Sequence, residues 1–307
     1  MKPSVKVALT IILLVAVALV SYSLGRRQSD ASAPGVAPSA SQPAAAPTTA
    51  GAPPSATVAT APPAPTAADR ELFEKASALR THGKLADARD TLRALLVKLP
   101  PANAASETQK TLLEDTQKVL GELNIKLLFT LASAPEKVEY VIQPGDSLGK
   151  IARQYTTTIE VIQKANSLGA SPIQPMQRLR VMPTRFAAAV SKSANTLLLT
   201  DDGKFFKLYR VGTGQHSMTP IGSSKITERI QHPAWWKEGQ TIPYGSKENI
   251  LGTHWLALDI PHYGIHGTWQ PETIGQQSSA GCIRLINEDV EELFTILPTG
   301  TPVEIKD

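Results

Sequence analysis

The sequence contains a single cysteine, Cys282, among its 307 residues. One thiol cannot close an internal disulfide, so a disulfide scaffold is excluded. No cysteine near the N-terminus is available to carry a lipid. An unpaired thiol in an exported chain is open to oxidation, so its presence there needs a reason. Catalysis is such a reason.

A concentrated basic region is also missing. Residues 184–307 carry 11 Lys and Arg against 13 Asp and Glu, and the whole chain has a formal net charge of +4. Nucleic-acid-binding domains usually present a concentrated basic face, so we expect no nucleic-acid partner. The length and the 42% of apolar residues allow two or three modest domains.

The N-terminal segment, residues 1–28, contains an apolar run without charge over residues 7–25, bounded by lysines before it and by Arg26 and Arg27 after it. At about 1.5 Å per residue, such a helix approaches the ~30 Å hydrocarbon core of a bilayer. A cleaved signal peptide is the alternative. No small-x-small cleavage site follows directly, so a single retained transmembrane helix is favoured.

The next segment, residues 29–68, is rich in proline and alanine, with 9 Pro and 15 Ala and no charge in residues 31–68. It has no aromatic residue and no apolar period, so it cannot bury enough surface to fold. We predict a disordered linker, whose reach in the polyproline form is on the order of 100 Å.

Residues 69–131 have a helical period that Gly83 and Pro100 interrupt, and Ser106 with Gln109 forms a capping-box pattern before a third helical run. The apolar residues that carry the period are Phe73, Ala76, Leu79, Leu85, Ala88, Leu92, Leu95, Leu113, Leu120, Leu123, Leu127 and Leu131. The first two runs loosely resemble a tetratricopeptide hairpin, but one unit is not a repeat. We predict a helical hairpin-like module that acts as a spacer or packing element.

Residues 138–184 predict a strand, a Pro-Gly turn, two short helices and a returning strand, with Asp146 or Ser147 capping the first helix. The stretches Val-Ile-Gln-Pro-Gly-Asp-Ser-Leu, Ile-Ala-Arg-Gln-Tyr and Ile-Gln-Lys-Ala-Asn resemble a LysM domain, a small βααβ module. The resemblance implies binding of glycan containing N-acetylglucosamine. A packing domain without a ligand remains the alternative.

The LysM resemblance also implies which residues contact the glycan: Gly145, Asp146, Ser147, Leu148 and Ile173. Met176 stands where LysM domains commonly have glycine. A methionine there is strained if the turn requires a positive φ.

The C-terminal part, residues 186–307, alternates strand patterns with turns, such as the hairpin around Asp201-Asp202-Gly203. The one clear helical pattern covers residues 287–297, and Asn287 is placed to cap it. We predict a mostly β domain.

Within this domain, Gly264-Ile-His-Gly267 precedes Gly281-Cys-Ile-Arg284, and Gly281 follows His266 by fifteen residues. A cysteine attacks only as its thiolate, so it needs a nearby base or cation at neutral pH. His266 can take the proton of Cys282, because imidazole titrates near neutrality.

The residues around the cysteine suit acyl transfer. Gly281 leaves room for a substrate carbonyl, and we expect the N–H groups of Gly281 and Cys282 to face a developing oxyanion. The guanidinium of Arg284 is suited to a substrate carboxylate. Ser279, just ahead of the cysteine, is a second candidate substrate contact.

Together these residues resemble the YkuD-type L,D-transpeptidase catalytic domain over residues 188–306. The motifs that carry the likeness are Thr219-Pro-Ile-Gly222, Gly245, Leu251-Gly252, Gly264-Ile-His-Gly-Thr268, Ser279-Ala-Gly-Cys-Ile-Arg284 and Gly300-Thr-Pro-Val303. Many members have histidine where this chain has Ala280, so His266 is the sole nearby imidazole that the motif offers.

The resemblance implies a peptidoglycan enzyme that needs no cofactor. Cys282 would attack the carbonyl of the third stem residue and expel the terminal D-alanine. The amine of a neighbouring stem would resolve the acyl-enzyme and give a 3→3 cross-link. His266 would be the general base, with its ring oriented by the carbonyl of Gly267. Carbapenem acylation of Cys282 is implied as well.

Several alternatives stay open. Water in place of the amine would give an L,D-carboxypeptidase or endopeptidase, and the same acyl-enzyme would serve to attach a lipoprotein to the wall. A non-catalytic peptidoglycan-binding tether is a rival of another class. A metal site at His262, His266 and Cys282 is disfavoured, because Pro261 and Gly264 oppose the helix that would align the two histidines.

The expected partners are stem peptides, glycan strands and, through the N-terminal helix, the membrane. The expected location is the cell envelope, with the catalytic domain outside the cytoplasmic membrane.

Overall fold

The computed structural model describes residues 64–169 and 171–307. The predicted transmembrane helix and nearly all of the predicted linker lie outside the described residues. Across the described ranges, no helix combines the length and apolarity needed to cross a bilayer.

The helices of the described region fall into three groups along the chain: a helical module, the LysM pair and a late helix in the β domain. In chain order they are α1 Ala67–Thr81, α2 Leu85–Lys98, α3 Glu107–Phe129, α4 Leu148–Gln154, α5 Ile159–Ala165 and α6 Asn287–Ile296, with short 3₁₀ turns at Ala102–Ala104, Gln215–Ser217 and Pro271–Thr273. The capping box predicted at Ser106 and Gln109 is present at the start of α3.

The strands divide between the LysM domain and the C-terminal domain. They are β1 Val138–Val141, β2 Arg178–Val181, β3 Phe186–Ser191, β4 Thr196–Asp201, β5 Lys204–Arg210, β6 Thr213–Gly214, β7 Gly222–Gln231, β8 Trp235–Lys237, β9 Gln240–Ile242, β10 His254–Leu258, β11 Gly264–His266, β12 Gln277–Ser279, β13 Ile283–Arg284 and β14 Pro302–Lys306. β1 and β2 pair antiparallel around α4 and α5, so the predicted βααβ order of the LysM domain is confirmed.

The largest sheet of the described region has the strand order β13-β11-β10-β7-β14-β3-β4-β5. Its alternating buried residues, such as Val303 and Ile305 on β14, pack against Leu293 and Ile296 of α6 in one apolar core. The C-terminal domain is therefore mostly β, as predicted, with α6 covering the core behind β10 and β11.

The helical module packs directly on the largest sheet of the described region, at its β5 edge. The Asn124 side chain on α3 is buried, and its Nδ2 donates to the carbonyl of Phe206 on β5 at 2.8 Å. Leu128 of α3 belongs to the core of the C-terminal domain. Of the two roles expected from the sequence, spacer or packing element, these contacts match packing: α3 covers a strand edge whose backbone groups would otherwise face solvent.

The LysM domain also packs on the C-terminal domain, through α5. Val161 contributes to the C-terminal core, and the Thr158 hydroxyl donates to the carbonyl of Thr295 at the end of α6. Glu160 forms an ion pair with Arg229 of β7 at 2.9 Å. These contacts fix the LysM domain against α6 and β7.

The late helix differs from the prediction at its first residue. Asn287 does not cap α6: the N-cap position belongs to Ile286, and Asn287 is the first helical residue. Its side-chain Oδ1 instead accepts a hydrogen bond from the backbone N–H of Thr253, 34 residues earlier, at 3.2 Å. A long-range contact has replaced the local one that the sequence predicts.

Candidate active site

Two short parallel strands bring the predicted catalytic residues together. β11 pairs with β13 so that Ile265 lies beside Ile283 and His266 beside Arg284. Cys282 immediately precedes β13 and therefore lies at the level of Gly264. Residues two apart on an extended chain face the same side, so this register places Cys282, Arg284 and His266 on one face of the sheet.

The imidazole of His266 is fixed on two sides. Its ring is 2% exposed and stacks on the indole of Trp255, its partner on β10, with centroids 5.6 Å apart. Nδ1 lies 2.6 Å from the carbonyl oxygen of Gly267. Because a carbonyl oxygen only accepts, Nδ1 carries the hydrogen, which leaves Nε2 of the neutral ring without a proton and able to accept one.

Burial lowers the pKa of His266 from its ordinary 6.5 to about 4. The carbonyls of Gly267 and Leu251 oppose this shift by favouring the protonated ring, whereas the positive charge of Arg284 adds to it. The imidazole is thus neutral at physiological pH, in the state that a general base requires.

The thiol of Cys282 is partly exposed. Its hydrogen bond goes to the backbone carbonyl of His262, at an Sγ–O distance of 3.7 Å, rather than to the imidazole. Burial raises the pKa of the thiol above its ordinary value, and the N–H of Gly264 and the charge of Arg284 only partly offset this. The resting pair is therefore a neutral thiol and a neutral imidazole, not an ion pair.

Hydrogen bonds fix the loop before the cysteine. The Ser279 hydroxyl donates to the carbonyl of Cys282 at 2.7 Å and accepts from the N–H of Gly281 at 3.1 Å. The Gly281 N–H is thus engaged, which differs from the expectation that it faces an oxyanion. The N–H of Cys282 has no acceptor among the described residues, so it is the remaining donor of the predicted pair.

Gly281 occupies a position that only glycine fits. Its φ is +124°, and a Cβ there would lie 2.6 Å from a ring carbon of Tyr263 and 3.2 Å from the carbonyl oxygen of Met218. Its own carbonyl accepts from the Thr219 hydroxyl at 2.8 Å, and the same hydroxyl accepts from the Gly214 N–H at 2.7 Å. The cysteine loop is therefore anchored to residues 214–219.

Arg284 lies beneath this loop with its side chain 8% exposed. One terminal nitrogen, Nη2, donates to the hydroxyl of Ser278, while Nε is buried with no partner in the described part of the chain. The backbone of Arg284 exchanges two 2.8 Å hydrogen bonds with Gly212. The guanidinium thus keeps an unsatisfied donor close to both the thiol and the imidazole.

Residues 185–305 match the YkuD family, described as an L,D-transpeptidase catalytic domain, and residues 140–181 match the LysM domain. A putative L,D-transpeptidase YkuD of Bacillus licheniformis is 36% identical over 176 residues, which are 54% of this chain and 97% of the relative. The chain belongs to the YkuD L,D-transpeptidase family. The Bacillus subtilis YkuD protein, also a putative L,D-transpeptidase, is 33% identical over 173 residues, again 54% of this chain and 97% of the relative.

A third relative of this L,D-transpeptidase comes from Escherichia coli. The probable L,D-transpeptidase YcfS is 26% identical over 200 residues, which are 55% of this chain and 61% of that protein. Both resemblances drawn from the sequence motifs, to LysM and to YkuD, are confirmed by these matches. Their domain types place the chain's activity at peptidoglycan in the cell envelope.

In this family member, four of the predicted glycan-contact residues, Gly145 to Leu148, lie at the first turn of the LysM domain, and the carbonyl of Gly145 accepts from Nζ of Lys150 at 2.6 Å. Asp146 accepts from the Tyr140 hydroxyl at 2.7 Å and from the N–H of Gln143 at 2.8 Å. Ser147 is the N-cap of α4. Gly145 has a φ of +84°, as a Pro-Gly turn requires.

The apolar residues expected at the glycan groove, Leu148 and Ile173, are partly buried against the LysM core. Met176 lies in the opposite turn with a φ of +69°, and its side chain is 76% exposed. The turn therefore has the positive φ at which a methionine is strained.

Sequence reasoning gave no role to three residues that shape the transpeptidase site: Trp255, Thr219 and Tyr263. Trp255 stacks on the imidazole of the candidate base, His266. Thr219 belongs to a motif quoted for the family, which was the available signal. Nothing in the sequence pattern marks Tyr263, whose hydroxyl donates to the Met218 carbonyl at 3.2 Å.

Among residues 64–169 and 171–307, no three His, Cys, Asp or Glu side chains are arranged to hold a metal ion. His262, weighed as a ligand from the sequence, approaches the sulfur with its backbone carbonyl.

Proposed function

We propose that this chain is a peptidoglycan L,D-transpeptidase in which Cys282 is the nucleophile and His266 the general base. The observation that carries the proposal is the pairing of β11 with β13. It brings the thiol, the imidazole and one guanidinium to the same face of the sheet. The substrate is a tetrapeptide stem, and the product is a 3→3 cross-link with release of D-alanine.

The neutral resting pair determines the order of proton transfers. As Sγ attacks the carbonyl carbon of the third stem residue, its proton leaves the His262 carbonyl and passes to Nε2 of His266. The S–C bond forms, the C–N bond to D-alanine breaks, and the imidazolium gives its proton to the leaving amine. The acceptor amine then attacks the thioester, loses a proton to Nε2, and the departing sulfur takes that proton back.

Negative charge on the tetrahedral intermediate needs a donor near the sulfur. We assign the backbone N–H of Cys282 to this role, because the N–H of Gly281 is held by Ser279. Gly281 then contributes the space for the carbonyl rather than a donor, and Ser279 holds the loop in place. Arg284 supplies the positive charge, and its unpaired Nε is the proposed contact for a substrate carboxylate.

The LysM domain is proposed to hold the glycan strand, with Gly145, Asp146, Ser147, Leu148 and Ile173 along its groove. Support comes from the LysM match and from the exposed Gly145 turn, around which a Cβ would meet no atom within 4 Å. A sedimentation assay on purified peptidoglycan should retain the ectodomain of residues 64–307. A Gly145→Trp variant should lose retention, and equal retention of both proteins would reject this groove.

Anchoring is the second part that rests on sequence. Residues 7–25 are proposed to remain as a transmembrane helix, followed by the Pro/Ala-rich linker, which lets the enzyme reach the wall. Fractionation of cells that express the full chain should place it in the carbonate-resistant membrane pellet at full mass. A soluble species shortened near residue 28 would show cleavage instead.

One assay tests the reaction. Incubation of the ectodomain with disaccharide-tetrapeptide should give a cross-linked dimer lacking D-alanine, detected by mass spectrometry, and Cys282→Ala should give none. Tripeptide without dimer would assign the chain to L,D-carboxypeptidases. Substrate left unchanged by the wild type, as by Cys282→Ala, would leave only a wall-binding tether. A carbapenem mass adduct that Cys282→Ala lacks would report the nucleophile independently.

A further inference from the structure

The side chain of Asn287 lies at a junction behind the candidate base. It is the first residue of α6, yet its Oδ1 points away from the helix and accepts from the N–H of Thr253 at 3.2 Å. Thr253 ends the segment that leads into β10. Asn287 therefore ties the start of a helix to a loop from a distant part of the chain.

Two glycines touch the same oxygen of Asn287. A Cβ on Gly267 would lie 2.2 Å from Oδ1, and a Cβ on Gly252 would lie 2.4 Å from it. Gly252 also has a φ of +66°, and its Cβ would meet the carbonyl carbon of Gly267 at 2.5 Å. The carboxamide of Asn287 fills the space that the missing side chains of Gly252 and Gly267 leave, so the three residues are closely packed.

These are the segments that hold the imidazole. The Gly267 carbonyl accepts from Nδ1 of His266 at 2.6 Å, and the carbonyl of Leu251, beside Gly252, also favours the protonated ring. Asn287 thus contacts both chain segments whose carbonyls face His266, although it does not contact the ring itself.

We propose that Asn287 is a positioning residue for the transpeptidation reaction. Its carboxamide fixes the Gly267 peptide and the 251–253 segment, so that Nδ1–H stays bonded to the Gly267 carbonyl and Nε2 stays free to accept the thiol proton. The inference rests on the proposed role of His266 as the base. Its consequence is kinetic: a misplaced imidazole slows acylation without weakening the binding of the stem peptide.

Among the charged side chains of the described residues, that of Arg284 acts on the pKa of His266. Arg284 lies beside His266 on β13, two residues after Cys282, and from β10 the uncharged Trp255 stacks on the ring. The start of α6 carries Glu288 and Asp289, and burial raises the pKa of Asp289 to about 6. A carboxylate at position 287 would add a negative charge against Gly267, the residue whose carbonyl accepts from Nδ1 of His266.

The test compares Asn287→Ala and Asn287→Asp in the full chain, with Glu288→Gln as the matched control because it changes one charge at the exposed neighbouring position. For release of D-alanine we expect Asn287→Ala to lower kcat roughly ten- to a hundredfold with KM within about twofold. Asn287→Asp keeps the acceptor oxygen and should recover most of kcat. Its carboxylate should also raise the pKa of His266, so that the acid limb of the kcat profile moves up by about 1 pH unit. Glu288→Gln should leave that limb in place.

Wild-type kcat in Asn287→Ala would overturn the proposal. The proposal would also be overturned if the acid limb of the kcat profile did not shift in Asn287→Asp and both variants lost activity only in proportion to the fraction of unfolded protein, measured by circular dichroism. A negative charge at a helix N-terminus is stabilising. Unfolding of α6 would therefore not explain a loss of activity in Asn287→Asp. His266→Ala separates the two hypotheses: wild-type turnover in that variant would reject His266 as the base, whatever Asn287 does.

Discussion

The cysteine loop of the catalytic domain and the second turn of the LysM domain both use a left-handed backbone, under opposite constraints. Gly281, at φ +124°, has a tyrosine ring and a carbonyl where a side chain would begin. Met176, at φ +69°, extends a side chain that is 76% exposed. In the first case packing forbids any Cβ, and in the second only the backbone is strained. Rigidity is thus concentrated around the thiol and the imidazole.

Among the substitutions that compare the two turns, Gly281→Ala should have the largest effect on stability and on kcat. The new methyl group meets Tyr263 and the Met218 carbonyl, and the backbone is unfavourable for alanine, so we expect a loss of about 3 kcal/mol in stability and at least a roughly hundredfold lower kcat. Gly203→Ala is the matched control, since Gly203 has a φ of +73° and open space around it. It should lose only about 1 kcal/mol. Similar kcat values for the two variants would show that the space at Gly281 is not critical.

The second effect concerns the pH dependence of stability that His266 contributes in the catalytic pocket. The pKa of His266 is about 4 in the folded chain, compared with an ordinary value of 6.5. Between pH 4 and pH 6.5 the unfolded chain therefore binds a proton at His266 that the folded chain does not. The contribution of His266 to the free energy of unfolding is therefore fully present above pH 6.5 and is lost as the pH falls to about 4. This loss amounts to about 3 kcal/mol.

Urea unfolding of the wild type and of His266→Gln at pH 7 and pH 4.5 measures this contribution, because the difference between the two proteins isolates the histidine. A wild type that loses no more stability than the variant would contradict the buried neutral imidazole.

A smaller effect is expected at the anchor of the cysteine loop. Thr219→Val removes the hydroxyl that joins the Gly214 N–H to the Gly281 carbonyl, and leaves both backbone groups buried without partners. We expect a loss of about 2 kcal/mol and roughly tenfold lower kcat. In Thr227→Val the lost hydrogen bond is at an exposed site on β7, at 3.3 Å, so the change should be within about 0.5 kcal/mol. Equal melting temperatures for Thr219→Val and Thr227→Val would show that the Thr219 hydroxyl does not anchor the cysteine loop.

The smallest effect should appear in the LysM turn, and with the opposite sign. Met176→Gly removes a strained side chain that has little packing to lose, and should raise stability by about 1 kcal/mol. Met176→Ala keeps the Cβ at the same φ and should give no such gain. Thermal unfolding of both variants measures the difference. A loss of stability in Met176→Gly would mean that the exposed methionine packs favourably after all.

Local patterns allowed much of this architecture to be predicted. The capping box at Ser106, the turn at Gly145 and the strands around the Asp202-Gly203 turn depend on residues within a few positions of each other, and each is present. The role of Asn287 could not be predicted in the same way. An asparagine at a helix start fits a cap, and only the approach of Gly252 and Gly267 gives its side chain another partner.

The same limit applies to the charge states. Cysteine near histidine suggested an ionised thiol, but burial disfavours charge on both groups, and burial is a property of the assembled domain. The donor expected at Gly281 was lost for a local reason: its N–H donates to the hydroxyl of Ser279, two residues earlier in the chain.

The sequence by itself determined the family and the order of the LysM and catalytic domains, and it led to the proposed pair Cys282 and His266, because motif spacing and short-range turn chemistry depend on residues close together in the chain. Tertiary structure alone decided the protonation state of that pair, the packing of the helical module on β5 and the junction behind the imidazole. These depend on desolvation and on contacts between residues tens of positions apart, which no local pattern encodes.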